Sequence, residues 1–420
     1  MTGAASIAAA PWLADRRLQR LFAALARDGD EAWAVGGAVR NTLMGLPVND
    51  VDVATTALPE VVSARAAAAG FKPVPTGLDH GTVTVVVDGH PFEVTTLRED
   101  IETHGRHAVV RFGRDWRADA HRRDFTMNAL YVSADGTVHD FVGGVEDCLA
   151  RRVRFIGRPE DRIREDYLRI LRFFRFHAAY GHGDPDPAGL AACIRERAGL
   201  DRLSAERIGQ ETVKLVAAPG APATARVMSD CGLLQRVLGS AADLAGFARL
   251  TTLARDMVVA PQGKADWPLF LAALAVWTEA DAPRLAERLR LPNAALDRME
   301  RGVHLARAVG PGFDDRRARA LLYRAGEESY RDALALAAAR RRITDEGRLA
   351  HDLALPFRWQ PGKLPVAGRD FLARGLARGP SVGEALRRAE ALWIESDFAL
   401  SRDDLLGAVP ESPAGSRPRP

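Results

Sequence analysis

Hydrophobic patterning divides the chain into two regimes. Up to about residue 150, short apolar runs with strand-like spacing alternate with helix-like segments. Residues 32–35 predict a strand that ends at Gly36-Gly37, with a helix following through Leu43. Residues 48–54 read as a second strand, and Pro59 opens a helix running to Ala69. Residues 82–87 are strongly β-branched, and Asp88-Gly89 then predicts a hairpin turn into a strand at 92–97. The pattern repeats with 128–132, Asp135-Gly136 and 138–141. These pieces make a small mixed sheet with helices. Beyond Val153, Leu, Ala and Arg recur at helical spacing with few strand signals. Breaks rich in Gly or Pro fall at 181–187, 219–222, 310–312 and 356–365. No repeat of fixed period is evident. The expected fold class is α+β: an N-terminal mixed-sheet head followed by an all-helical remainder.

At 420 residues the chain is too long for one compact core, so two or more domains are expected. Formal net charge is only +3, and any footprint for a nucleic acid must therefore come from local clustering. Among the 58 basic residues only Lys72, Lys214, Lys264 and Lys363 are lysines, so arginine abundance follows coding bias before function. Placement has to carry the argument. Cys148, Cys193 and Cys231 are scattered, with no C-x-x-C pair, which suggests neither a zinc knuckle nor a disulfide framework. Three such thiols fit a reducing, cytoplasmic setting. Residues 1–10 are apolar and Ala-rich but lack a basic start, and are expected to be a frayed end instead of a signal peptide. No apolar run is long enough to span a membrane. The stretch 411–420, rich in Pro, Ser, Gly and Arg, is expected to be disordered.

Asp50 and Asp52 flank Val51 on the predicted second strand, where a period of two puts both carboxylates on one face. Adjacent carboxylates repel unless a cation sits between them. One or two carboxylates plus substrate phosphates is the usual way of holding Mg²⁺. Alone, D-x-D is a weak signal and is better read as a solvated strand edge or turn. Context shifts the balance. Gly36-Gly37-Ala38-Val39-Arg40 lies just upstream, between a strand and a helix. Two glycines let backbone approach a phosphate, and amides at a helix N-terminus attract anions. Arg40 adds a charge-assisted donor. No G-K-[ST] follows, so this is not a P-loop.

Gly36-Gly37-x-Val39-Arg40 with Asp50-x-Asp52 resembles the first motif of class II tRNA nucleotidyltransferases and bacterial poly(A) polymerases, within the DNA polymerase β-like superfamily. Arg122-Arg123-Asp124-Phe125-Thr126-Met127-Asn128-Ala129-Leu130 is similar to their R-R-D-F-T-I-N-A-L motif. Glu165-Asp166-x-x-Arg169 resembles their E-D-x-x-R template motif, and residues 100–106 resemble the flexible-loop motif between the two. Ser204-Ala205-Glu206-Arg207-Ile208-x-x-Glu211 resembles a further motif and reads as a capped amphipathic helix start. These motifs, in family order, cover roughly residues 32–210; 364–386 resembles the family's tail more loosely. Asn41 departs from the pattern, standing where many members carry Asp, and is expected to alter local hydrogen bonding only.

The resemblance implies an enzyme that adds C, C and A to tRNA 3′ ends from CTP and ATP, with Mg²⁺ as cofactor. It implies a nucleotidyltransferase head over 21–150 after an extension at 1–20, a helical neck at 151–230 and a body at 231–350. A tRNA-binding tail at 351–408 and a disordered end at 409–420 complete the expected organisation. Asp50 and Asp52 become the metal ligands, with Glu93 on the next hairpin strand as a third carboxylate or merely a polar residue on a strand face. Gly37 and Arg40 would contact the triphosphate, and Arg123 and Asp124 the nucleotide's sugar and phosphates. Asp166 and Arg169, three apart on a predicted helix, would present an acceptor and a donor to the base. That combination matches the amino group and ring nitrogen of cytosine and adenine, and opposes the carbonyls of uracil and guanine. Without the motif, the same two residues read as a solvated ion pair. Arg172 and Arg175 continue the spacing with rotating direction, whereas Leu168, Leu171, Phe173, Phe174 and Phe176 read as core. Nine arginines from Arg151 to Arg175 form a candidate phosphate track. Asp100 and Arg106 belong to the flexible loop, whose presence argues against a CC-only enzyme. An A-only enzyme and a poly(A) polymerase remain alternatives. Residues 76–82 resemble the CCA enzymes, not the basic stretch of poly(A) polymerases. From another class, an inactive RNA-binding helical protein is opposed by intact Asp50 and Asp52. The isolated His351-Asp352 pair lacks further spaced ligands and is not read as a metal site.

Overall fold

The computed structural model describes residues 6–77, 81–104, 107–256, 266–360 and 362–409. These fall into two compact units, one of residues 1–242 with 288–290, the other of 243–287 with 291–420.

In the first unit, α1 (Arg16–Leu25) is capped by the Asp15 carboxylate and buries Leu18, Leu21 and Leu25 along one stripe. Then come β1 (Ala32–Val35), α2 (Gly37–Leu43), β2 (Asp52–Thr55), α3 (Pro59–Ala68) and β3 (Lys72–Gly77). Next, β4 (Thr82–Val87) alternates so that Val83, Val85 and Val87 are buried. Asp88 and Gly89 both take positive φ, 49° and 80°, and turn the chain tightly into β5 (His90–Thr96). β6 (Arg98–His104) and β7 (His107–Phe112) form a separate antiparallel hairpin. α4 (Trp116–Arg122), β8 (Leu130–Val132), β9 (Val138–Asp140) and α5 (Gly144–Leu149) complete the head. The seven-stranded sheet runs β3-β4-β5-β2-β1-β8-β9. β2 and β5 pair in parallel, and the other neighbours are antiparallel.

Three expectations need correction. The second strand starts at Asp52, not at residue 48, so Asp50 precedes it and does not share a strand face with Asp52. The segment from Ser6 is not frayed: the Ile7 amide donates to Gly136 O at 2.9 Å, Ser6 bridges Thr137, and Ile7, Ala10 and Leu13 are buried. The expected flexible-loop segment is strand at Asp100, within β6; Arg106 lies outside the described residues, as do 78–80 of the stretch compared with poly(A) polymerases.

The helical remainder of this unit holds α6 (Pro159–Glu165), α7 (Leu168–Tyr180), α8 (Pro187–Arg195), α9 (Ala205–Val216), α10 (Ala221–Asp230) and α11 (Leu233–Leu238). Aromatic packing joins it to the sheet. Phe125 from the R-R-D-F stretch lies 5.0 Å from Phe155 and 5.2 Å from Phe176, and Phe155 stacks on Phe173. Leu168, Leu171, Phe173, Phe174 and Phe176 are buried, as core residues should be. Ser204 accepts from the Arg207 amide and caps α9.

The second unit is helical throughout its described residues: α12 (Leu244–Asp256), α13 (Trp267–Ala275), most of α14 (Asp281–Leu289), α15 (Asn293–Ala306) and α16 (Asp315–Ala339), then α17 (Glu346–Leu353), α18 (Leu355–Arg358), α19 (Gly368–Ala373), α20 (Pro380–Glu395) and α21 (Arg402–Ala408). Arg298 forks between Asp266 and Asp332, tying α15 to α13 and α16. Phe371, Ala389, Trp393 and Leu405 form the core of the last helices. No helix among the described residues is long and apolar enough to cross a membrane.

Candidate active site

The sheet brings the first motif together at one end. β1 closes on Val35, whose register partner in β2 is Asp52; Asp52 is in turn paired with Glu93 of β5. Gly36 follows Val35 with φ +71°, a left-handed conformation that favours glycine. It turns the chain so that α2 starts at Gly37 with its first amides at the same sheet end as Asp52. A side chain at Gly36 would also meet the Asn128 carbonyl at 3.5 Å and the Arg123 guanidinium at 4.0 Å.

Asp50, Asp52 and Glu93 are all exposed at this end. Asp52 nevertheless has protein crowding its inner side. Burial raises its carboxyl above the ordinary range, Glu93 and Asp50 add repulsion, and Arg123 opposes them. Three carboxylates that repel one another, with no nitrogen or sulfur donor among them, suit a hard divalent cation with oxygen ligands. Among the described residues, a tighter acidic cluster occurs elsewhere: Asp315, His351 and Asp352 in the second unit. It is already neutralised. Arg348 lies 2.9 Å from Asp315 and 2.7 Å from Asp352, and Arg358 donates to His351 Nδ1.

The R-R-D-F stretch is held by an acid that the sequence did not single out. Asp119 is 1% exposed and accepts from Arg122, from Arg123 at 3.0 Å and from the Tyr131 hydroxyl at 2.7 Å. Burial opposes its ionisation, but Arg123, Arg122 and Tyr131 outweigh that and hold it down to about 2. Asp119 lies on α4, four residues before Arg123, the spacing at which helical side chains meet. Asp119 thus fixes one edge of the Arg123 guanidinium while the other nitrogen faces Gly36.

Arg40 is 7% exposed. Its guanidinium donates to Asn128 Oδ1 at 2.6 Å, the Tyr180 hydroxyl at 2.8 Å and Asn41 Oδ1 at 2.9 Å, and lies over the Tyr180 ring. It is spent on internal partners, not extended toward open space. Asn41 also donates to Pro47 O at 2.7 Å, so this departure from the family pattern works through local hydrogen bonds.

Asp124 accepts from the Asn128 amide at 3.1 Å and from Arg172 at 2.6 Å. Arg172 is thereby committed to the head motif. Arg175 pairs with Glu211 of α9 at 2.5 Å, and Glu211 is 5% exposed. Tyr180, Arg40, Asn128, Asp124, Arg172, Glu211 and Arg175 form one chain of polar contacts from α2 to α9, whose closest link between Arg172 and Glu211 is 4.0 Å. Glu211 closes the 204–211 motif, whereas Tyr180 carried no sequence signal for this role.

The expected single template helix is interrupted. α6 ends at Glu165, Asp166 is extended at φ −153°, and α7 begins at Leu168. Asp166 and Arg169 therefore do not project as i, i+3 neighbours of one helix. The Asp166 carboxylate instead accepts from the Leu168 amide at 3.1 Å and from Arg207 of α9 at 2.7 Å. Arg169 turns back to Glu165 at 2.5 Å and to the Arg162 carbonyl at 2.8 Å. The physical reason is local: the carboxylate captures the first free amide of α7, as a capping residue does.

Residues 32–154 match the model of the poly A polymerase head domain. Across nearly the whole chain, similarity extends to the mitochondrial CCA tRNA nucleotidyltransferase 1 of Danio rerio. That relative is 35% identical over 91% of this chain and 88% of its own length. The chain belongs to the CCA-adding tRNA nucleotidyltransferase family. The CCA-adding enzyme of Limosilactobacillus fermentum is 31% identical over 91% of this chain and 93% of that protein. The Bacillus stearothermophilus CCA-adding enzyme, solved in complex with CTP, superposes with a TM-score of 0.72 at 31% identity. Those figures cover 91% of this chain and 93% of that one. The mixed-sheet head and helical remainder are thus those of a CCA-adding enzyme.

Proposed function

We propose that this chain adds C, C and A to the 3′ end of tRNA from CTP and ATP. In each step the RNA 3′-oxygen forms a bond to the α-phosphorus, the bond to the β-phosphate oxygen breaks, and pyrophosphate leaves. The observation that carries the reading is the register that sets Asp52 beside Glu93 at the strand end leading into the Gly36-Gly37 turn. Asp50 and Asp52 would hold Mg²⁺, with Glu93 as the third carboxylate. The cation, when bound, would lower the pKa of the attacking hydroxyl and neutralise charge on the triphosphate. The α2 amides at Gly37 would receive phosphate oxygens. Arg123, held by Asp119, would offer its free edge to the triphosphate, and Asp124 would meet the sugar. Arg40, buried beneath the turn, would support Asn128 and Tyr180 instead of touching phosphate.

Asp166 and Arg169 would read the base, the carboxylate accepting from the amino group and the guanidinium donating to the ring nitrogen. For Arg169 this requires leaving Glu165. Asp100 in β6 and Arg106 beyond it would belong to the segment that closes over the nucleotide. Exposed arginines of the 151–175 track, Arg158 and Arg164 among them, and the helices of 351–408 would meet the tRNA backbone. The domain boundaries proposed are those of head 21–150, neck 151–230, body 231–350 and tail 351–408. A reducing, cytoplasmic compartment, in which Cys148, Cys193 and Cys231 stay free thiols, is proposed.

The test is stoichiometric release of pyrophosphate. With CTP and ATP, a transcript lacking CCA should release one pyrophosphate per added nucleotide and stop. A transcript already ending in CCA should release none. Continued release on the completed transcript would refute the reading.

A further inference from the structure

We infer that Arg207 is a positioning residue for nucleotide selection: by holding the Asp166 carboxylate in one orientation, it makes rejection of carbonyl-bearing bases possible. This rests on the proposed role of Asp166 as base acceptor. Both oxygens of that carboxylate are engaged. Oδ1 accepts from the Leu168 amide at 3.1 Å, and Oδ2 accepts from Arg207 Nη2 at 2.7 Å. The two donors come from different elements, the start of α7 and the first turn of α9. Each anchor is itself fixed: the Arg207 amide is bound by the Ser204 cap, and the Leu168 side chain is buried. The Asp166 and Arg207 side chains are only 17% and 23% exposed, so the pair is partly shielded from water.

Orientation matters because a carboxylate has four acceptor positions and no donor. Two remain after the anchors are counted. Cytosine and adenine offer an amino group to one of them. Uracil and guanine bring a carbonyl oxygen to the same place, and two acceptors then face each other without a proton. That clash discriminates only if the carboxylate cannot turn away. A pinned carboxylate keeps the mismatch unrelieved, and a site with unrelieved polar mismatch rejects analogues strongly. A carboxylate anchored on one oxygen alone can rotate about its terminal torsion, which is broad and soft. It would then relieve the clash with the wrong base while still accepting from the right one. Arg207 therefore affects wrong nucleotides more than right ones.

The alternative is that Arg207 competes with the base for Asp166 and must be displaced before a nucleotide binds. The two readings predict opposite changes. The experiment uses the full chain carrying Arg207→Met, with Arg207→Lys and Arg207→Gln beside it. Single-nucleotide addition is followed on tRNA transcripts ending in CC with ATP or GTP, and on transcripts lacking CCA with CTP or UTP. The wild-type ratios of kcat/KM for ATP over GTP and CTP over UTP should fall about tenfold or more in Arg207→Met, a loss of about 1.4 kcal/mol of discrimination. Most of that should come from a gain in GTP and UTP use. Arg207→Lys, which keeps a charged donor without the fork, should retain more of the ratio than Arg207→Gln. An equal loss for right and wrong nucleotides, leaving the ratios intact, would make Arg207 merely structural and overturn the inference. A lower KM for ATP and CTP with unchanged ratios would favour the competitor reading and also overturn it. If Arg207→Met does not fold, the Lys and Gln variants decide between the same outcomes. Failure of the wild-type chain to add C or A would sink the proposed function itself, a result separate from any of these.

Discussion

At the scale of single residues, the site depends on acids held in two different ways. Asp50, Asp52 and Glu93 are open and mutually repelling, and Asp52→Ala should lower nucleotide incorporation by about 10²-fold or more, judged by the loss of other preorganised electrostatic groups. Incorporation kinetics on tRNA check this, and near-normal activity would remove Asp52 from the site. Asp119 is the opposite case, buried and fully paired. Its folded-state carboxyl lies near 2, below the ordinary value of 3.8. The stability it contributes is therefore present above about pH 4 and lost as pH falls through 2, an effect of about 2 kcal/mol. Asp119→Asn should show a shallower loss of thermal stability over that acid window than the unaltered chain, measured by melting temperature against pH. Identical pH slopes would contradict the assignment. The sequence made Asp50 and Asp52 legible as candidate ligands through a local motif, although the shared strand face inferred from their spacing does not form, because β2 begins only at Asp52. Asp119 was harder to find, since only its tertiary surroundings distinguish it from a surface acid on a helix.

At the scale of elements, the site depends on how α7 and α9 meet the head. Glu211 is buried against Arg175, with Arg172 at its margin. Glu211→Gln would leave Arg175 with a neutral partner in a site poor in water, and breaking such a pair costs about 3 kcal/mol or more. A clear drop in the denaturant midpoint is expected, and an unchanged midpoint would show that the pair is dispensable. Gly209, two residues earlier in α9 and also buried, has no room for a side chain: a Cβ there would fall 1.9 Å from the Leu289 carbonyl oxygen. Gly209→Ala should cost about 1–3 kcal/mol, read from the same unfolding curves. The sequence made these helices legible through their periodicity, and the Ser204 cap was legible too. The break at Asp166 was not. Helical spacing runs through residues 160–180 without a Gly or Pro inside it, and only the capture of the Leu168 amide by Asp166 ends one helix and starts the next. The start of β2 was missed for a similar reason. Val48, Val51 and Val53 look like a strand, but pairing with β1 begins only at Asp52.

At the scale of the whole molecule, 420 residues with a formal charge of only +3 must bind a polyanion through local basic clusters. Affinity for tRNA should therefore fall steeply and log-linearly with KCl, losing about 10³-fold or more between 50 and 200 mM if six or more phosphates are contacted. Filter binding across that range would show it, and a flat salt dependence would argue against a phosphate track. The α+β architecture was legible from where strand-like spacing gives way to helical spacing. The packed segment from Ser6 was not, because its burial depends on a long-range bridge to Thr137 that no local pattern announces. The central claim is that this fold builds a fixed trinucleotide without a nucleic-acid template. The most direct measurement is product length on a gel for transcripts ending before CCA, after C and after CC, each with Mg²⁺ and CTP, ATP or both. Two additions are expected with CTP alone on the first transcript, one with ATP on the CC end, and a stop at CCA. Long A tails, or a stop at CC when ATP is present, would contradict it.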